Sequence, residues 1–226
     1  MRKALLFFIF YLPTFFLMAQ QSKNLKIINS NEIISEGIEK FDNGEYQEAA
    51  NLFKSVPIGD SLFVNAQYEL AYCYYSQQRY NEALYLWEQI LETPRNINKS
   101  MVYTQLGNTY SEINRFEKAI EMYDNALKIY PYNHLLHYNK GVVYQKMKNY
   151  IQSEACFKMA ILCNPLHQNS HLQLGISYLK QYYFIPGILA INFAVMINPQ
   201  SNIAVKALQI LDGLFVDGLA NFNADE

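Results

Sequence analysis

His134 and His137 stand three residues apart, and His167 and His171 four apart. On a helix, both spacings place two imidazoles on one face, an arrangement that can seat zinc. No carboxylate completes either pair as a third ligand, and all four residues also suit packing or helix starts. Cys73, Cys156 and Cys163 are the only thiols. Cys156 and Cys163 would lie two helical turns apart, about 10 Å, too far for a disulfide. Their spacing matches no zinc motif, and they read as small buried residues. A Gly-rich phosphate loop, G-x-S-x-G, H-E-x-x-H and C-x-x-C are all missing from the chain. The carboxylates are scattered over helix faces that read as solvated. These features point to no enzyme, no cofactor and no metal, with a His-based metal-binding protein left as an alternative.

The elements that carry these residues repeat. Gly107, Tyr110, Tyr123, Ala126 and Pro131 recur 34 residues later as Gly141, Tyr144, Phe157, Ala160 and Pro165. After the same interval come Gly175, Tyr178, Ile191, Ala194 and Pro199. Upstream, Ala71, Tyr74, Ala83, Trp87 and Ile90 keep the pattern, and Gly37, Ala49 and Phe53 keep it more weakly. The units run over 30–63, 64–97, 100–133, 134–167 and 168–201, with two extra residues in the loop "TPRNINKS".

Each unit holds two helix-period apolar patterns. The small eighth residue lets the second helix cross close to the first, and the twentieth does the same from the other side. An aromatic at the seventeenth position follows a short polar turn such as "DNGEY" or "KMKNY". Proline at the thirty-second cannot continue a helix and ends the unit. In the fifth unit Pro186 and Gly187 fall in the first turn of the second helix, where proline is tolerated. The first unit has Lys40 where an aromatic belongs. One helix pair cannot bury its apolar face, whereas stacked pairs can.

This spacing resembles the tetratricopeptide repeat (TPR) family over nearly all of the chain beyond its leader. The resemblance implies an all-α fold, a right-handed TPR superhelix (α-solenoid) of about five helix-turn-helix repeats plus a C-terminal helix. It also implies action by binding a protein or peptide, in a concave groove lined by the first helix of each unit. The groove positions then fall on Tyr68, Tyr72 and Tyr75 in the second unit and on Thr104 and Asn108 in the third. In the fourth they fall on Tyr138, with Asn139 beside it. Some relatives grip a C-terminal carboxylate with Lys and Arg here. No Lys or Arg occupies the fifth or ninth position of any unit, so that clamp is absent. Amides and phenols suit hydrogen bonds to a peptide backbone. A solvated groove without ligand is the alternative.

The outward positions of the second helices change character along the chain. In the third unit they are Glu117, Glu121, Asp124, Asn125 and Lys128, a solvated face. In the fourth they include Ile151, Met159 and Leu162, and in the fifth Ile185, Leu189, Phe193 and Met196. "IPGILAINFAVMIN" carries no charge. A helix apolar all round should be buried all round. Either the C-terminal segment folds over this face, or Met159, Leu189 and Phe193 centre a docking surface. The occupant is then a second copy, a further domain or an envelope component. Residues 202–226 read as a capping helix and tail, with Ile203, Ala207, Leu208, Leu211 and Phe215 covering the fifth unit. Ile210 and Leu214 are left to a second contact.

"MRKALLFFIFYLPTFFLMAQ" has a basic start, an apolar run and a cleavable end, the layout of a signal peptide over 1–19. An uncleaved anchor is the rival, although the run is short for a membrane span and Pro13 interrupts it. The resemblance is to exported repeat proteins of Gram-negative bacteria, which implies a periplasmic or envelope-associated location. The 226-residue chain carries a formal charge of −2, and no block of like charges, which speaks against nucleic acid as partner.

Overall fold

The computed structural model describes residues 29–94 and 98–224, with side chains to residue 216. The expected signal peptide lies outside the described residues. Eleven helices and no strands occupy them. The chain separates into two compact units, one ending at Ala66 and the other starting at Gln67.

The first unit holds α1 (Ser30–Asp42), α2 (Tyr46–Lys54) and the start of α3 (Phe63–Ser76). Gly37 on α1 lies against the Phe53 ring of α2, so closely that a methyl group there would overlap it. Small-against-aromatic packing is therefore formed even in the unit whose sequence fits the repeat most weakly. Lys40, in place of an aromatic, pairs with Glu45 at 2.6 Å and Glu48 at 3.1 Å. Ser30 Oγ donates to Asp60 Oδ2 at 2.5 Å.

The second unit continues with α4 (Tyr80–Glu92), α5 (Lys99–Glu112), α6 (Phe116–Ile129), α7 (His134–Lys146) and α8 (Tyr150–Cys163). It ends with α9 (Gln168–Leu179), α10 (Phe184–Ile197) and α11 (Asn202–Ala224). From α4 onward each helix packs on the next, and α5 also touches α7, α7 touches α9, and α9 touches α11. This is an α-solenoid: first helices side by side, second helices behind them. Gly107 faces Tyr123, Gly141 faces Phe157 and Gly175 faces Ile191, and a methyl at any of these glycines would overlap its partner. The missing side chain sets how closely the two helices of each pair approach. Trp87, Tyr123, Phe157 and Ile191 are fully buried at one place in four consecutive repeats.

The turn within each pair has one geometry. Its fifteenth residue is left-handed in all five repeats: Gly44 (φ 81°), Gln78 (60°), Asn114 (57°), Lys148 (59°) and Tyr182 (64°). The next amide bonds back five residues, as in Arg79 N to Tyr74 O at 2.8 Å and Tyr183 N to Tyr178 O at 2.9 Å. This closes the helix by satisfying an otherwise orphaned carbonyl. The sequence showed polar turns but not that four of them place a non-glycine residue in this conformation.

The C-terminal helix caps the array differently from expectation. Ala204, Ala207 and Leu211 are buried, the last two with Leu172, Ile191 and Ala194, while Ile203 and Ile210 pack alongside that cluster. Leu208 and Phe215, expected to cover the fifth unit, are exposed instead. In the repeat register Gln209, next to Leu208, holds the eighth position, which elsewhere faces the second helix of its own pair. Among the described residues no helix covers that side of α11.

Candidate functional site

The first helices of the second unit share an inner face. A hollow of about 180 Å³ opens there, lined on α5 by Asn108, Ser111 and Glu112 and on α7 by Asn139, Val142 and Lys146. Tyr75 closes one side and Tyr123 contributes from behind. The structure thus brings together Tyr75, Asn108 and Asn139 of the residues singled out from sequence.

A hydrogen-bond relay holds this face. Gln105 Nε2 donates to Tyr72 Oη at 2.9 Å, and Asn108 Nδ2 reaches Gln105 Oε1 at 3.4 Å. Tyr123 Oη donates to Asn108 Oδ1 at 2.7 Å. Asn108 is therefore oriented from both ends, by a neighbour on its own helix and by the helix behind it. Tyr68, Tyr72 and Tyr75 form a ladder of rings on α3. Tyr68 and Tyr72 stand edge-on to Trp87 at centroid distances of 4.9 and 5.8 Å, and Tyr75 stands edge-on to Tyr80 at 5.5 Å. Burial pushes the phenols of Tyr68 and Tyr72 up and that of Tyr75 to about 12, so all three remain neutral. The Trp87 indole N–H is buried without a hydrogen-bond partner among the described residues.

The remaining groove residues lie apart from this hollow. Thr104 turns its hydroxyl back to the Ser100 carbonyl at 2.7 Å, which leaves only its oxygen to accept. Tyr138 is half-buried between Phe157 and His167, at 5.7 and 5.0 Å. The ion pair of Lys146 and Glu112, 2.9 Å apart, also lines the hollow and was missed. Both residues hold the thirteenth position, in consecutive repeats. Opposite charges at one register in neighbouring units were the available sign.

The histidines make local structure. His137 and His171 bond through Nε2 to the carbonyls of Pro131 and Pro165, each at 2.8 Å, tying helix starts to the preceding turn. His134 and His167 have ring centroids 5.0 Å apart, and His167 Nδ1 meets Ser170 Oγ at 2.7 Å. Burial lowers the His167 pKa, and His134 and His171 lower it further. Among the described residues no group of three His, Cys, Asp or Glu side chains is placed to hold a metal. Burial pushes the thiols of Cys73 and Cys156 up to about 12 and about 11, which keeps them protonated.

The outer face of α8 and α10 is open. Ile185 is 74% exposed, Leu189 65%, Phe193 47%, Met196 73% and Met159 39%. Ile151 and Leu162 are also exposed, and α11 leaves all these residues uncovered. Met159 and Phe193 are the least exposed of the set, and the Phe193 ring lies 4.7 Å from that of His171. On α6, the outer Asp124 is engaged instead by an ion pair with Lys140.

Two family models, both described as Tetratricopeptide repeat, match residues 62–131 and 135–165. Among solved structures, a thermophilic TPR protein of Thermus thermophilus is 20% identical with a TM-score of 0.65, covering 80% of this chain and 98% of its own. A MamA protein is 17% identical with a TM-score of 0.60, covering 76% of this chain and 92% of its own. MamA from Desulfovibrio magneticus RS-1 is 13% identical with a TM-score of 0.63, covering 76% and 97%. No curated protein matches the chain.

Proposed function

Because the chain is a tetratricopeptide repeat protein, we propose that it is a non-catalytic protein–protein interaction scaffold that holds a peptide or protein partner in its inner groove. The observation that carries this reading is the hollow between α5 and α7, where Asn108 is fixed by the Gln105 and Tyr123 relay beside Tyr75, Asn139 and the Lys146–Glu112 pair. Prefixed amides and neutral phenols recognise a peptide backbone with little ordering cost. A photo-crosslinking residue at Asn139 in native cells should trap a partner, and Tyr72→Ala with Asn108→Ala should abolish the adduct while the helical spectrum is kept. An undiminished adduct in that double variant removes the groove as the site.

The exposed outer face of α8 and α10 supports a second docking surface on the same scaffold. The leader over 1–19 supports export to the periplasm or envelope of a Gram-negative bacterium. N-terminal sequencing of the chain from its native cells tests this. A start at Gln20 or Gln21 is expected, and an intact Met1 overturns cleavage.

A further inference from the structure

We infer that the outer face of α10 docks a second copy of this chain, two α10 helices crossing antiparallel about a two-fold axis near Asn192. The inference rests on reading that face as a docking surface and now assigns its occupant.

Three observations lead there. The first is area. The exposed apolar side chains of α8 and α10 present on the order of 1,000 Å², more than soluble monomers usually leave open. One partner in a standard stable interface contributes about 800 Å². The second is charge. No ionisable residue lies between Ile185 and Asn198, and on α8 Lys158 and Glu154 are paired with each other at 2.6 Å. The face therefore has nothing to steer or select a charged partner, and whatever covers it must itself be uncharged and apolar. Among the described residues the face itself is such a surface, whereas the open side of α11 around Leu208 and Phe215 carries Asp212. A two-fold interface sets one patch against its own copy.

The third observation is Asn192. It is the single polar side chain among the outward positions of α10, with Ile185 and Leu189 before it and Phe193 and Met196 after it. An antiparallel crossing near Asn192 sets the aliphatic half of one helix against the Phe193–Met196 half of the other. Asn192 Nδ2 donates to the Ile188 carbonyl at 3.0 Å. The second amide hydrogen and the side-chain carbonyl can then pair with Asn192 of the second copy. One polar residue within an apolar helical seam fixes register and partner number, at some cost in stability.

The test is the mass of the full chain by sedimentation across a hundredfold concentration range. Wild type should rise from one chain to two. Leu189→Lys and Phe193→Asp should weaken the dimer at least tenfold, each with an unchanged helical spectrum. Leu189→Lys keeps the test usable if Phe193→Asp disturbs the His171 contact. Under oxidation Asn192→Cys should give a covalent dimer, and Glu121→Cys, on the polar outer face of α6, should not. A one-chain mass at every concentration overturns the inference, as does a dimer unaffected by both substitutions. If neutral lipid vesicles or another protein then bind the face, it remains a docking surface with a different occupant. The Tyr72 and Asn108 double variant reports on the groove independently of these outcomes.

Discussion

Tyr123 donates its hydroxyl hydrogen to the side-chain carbonyl of Asn108 across 2.7 Å, joining the two helices of one repeat behind the groove. Burial holds the phenol protonated, so its role as donor is fixed. Tyr123→Phe removes the donor and should cost about 1 kcal/mol in chemical denaturation. Asn108→Ala leaves a buried hydroxyl unpaired and should cost more, about 1–3 kcal/mol. Both should weaken partner capture, because Asn108 loses its orientation in one and its amide in the other. Equal capture by Tyr123→Phe would show that the bond serves stability alone.

Gly107 and Gly213 should respond oppositely to alanine. A methyl at Gly107 runs into the buried Tyr123 ring, which has no room to yield. Overpacking of that kind costs about 1–3 kcal/mol. Gly213 lies in α11 with open space around it, and alanine there should stabilise by about 0.5–1 kcal/mol. Urea midpoints of the two variants against wild type decide this, and a stable Gly107→Ala would mean the helix pair can widen.

Tyr182 is left-handed at φ 64° and 80% exposed, so its side chain offsets little of the strain of its backbone. A non-glycine residue in that conformation costs about 1–2 kcal/mol. Glycine removes the clash but carries more unfolded-state entropy, so Tyr182→Gly should stabilise by about 0.5–1 kcal/mol net. A thermal midpoint below wild type would show that the Tyr182 ring contributes packing.

These turns mark where the sequence was legible and where it was not. The period of the small and aromatic positions located the helix pairs because Gly107, Gly141 and Gly175 each face one residue sixteen places on, a constraint written in both partners. The left-handed turn residue is set by the return of the chain and satisfied by backbone, so Gln78, Lys148 and Tyr182 bear no mark of it. The Lys146–Glu112 pair needs two repeats in register, and neither residue alone signals the groove. α11 was misassigned in part because helical periodicity gives an apolar arc without saying which edge meets the array. Leu208 and Ile210 sit on opposite edges of that arc, and packing against Leu172 and Ile191 chose Ile210.

His167 should make stability fall in mildly acidic solution. Its pKa lies below the ordinary 6.5 because burial disfavours the charged ring, and His134 and His171 add repulsion. Tyr138 and Ser170 also face it, and neither carries charge to offset this. The unfolded chain takes up the proton first as pH falls. Stability from the neutral ring is whole above 6.5 and declines from there down to the folded value. Urea midpoints between neutral pH and about pH 5 should therefore drop. His167→Gln should flatten that slope, and an unchanged slope would assign the pH dependence to other groups.

The cap offers a contrast within one helix. Leu211 is 7% exposed and joins Leu172, Ile191 and Ala194, so Leu211→Ala opens a cavity at the end of the array and should cost about 2–4 kcal/mol. Phe215, one heptad after Leu208 on the open side, is 62% exposed. Phe215→Ser should move stability by no more than about 0.5 kcal/mol, and Leu208→Ser should behave alike. Both substitutions remove apolar surface from water, so solubility should rise in each. Denaturant midpoints of the single chain at low concentration separate the two sets. A large loss in Phe215→Ser would mean that Phe215 packs on the array in solution and that the open side of α11 is closed.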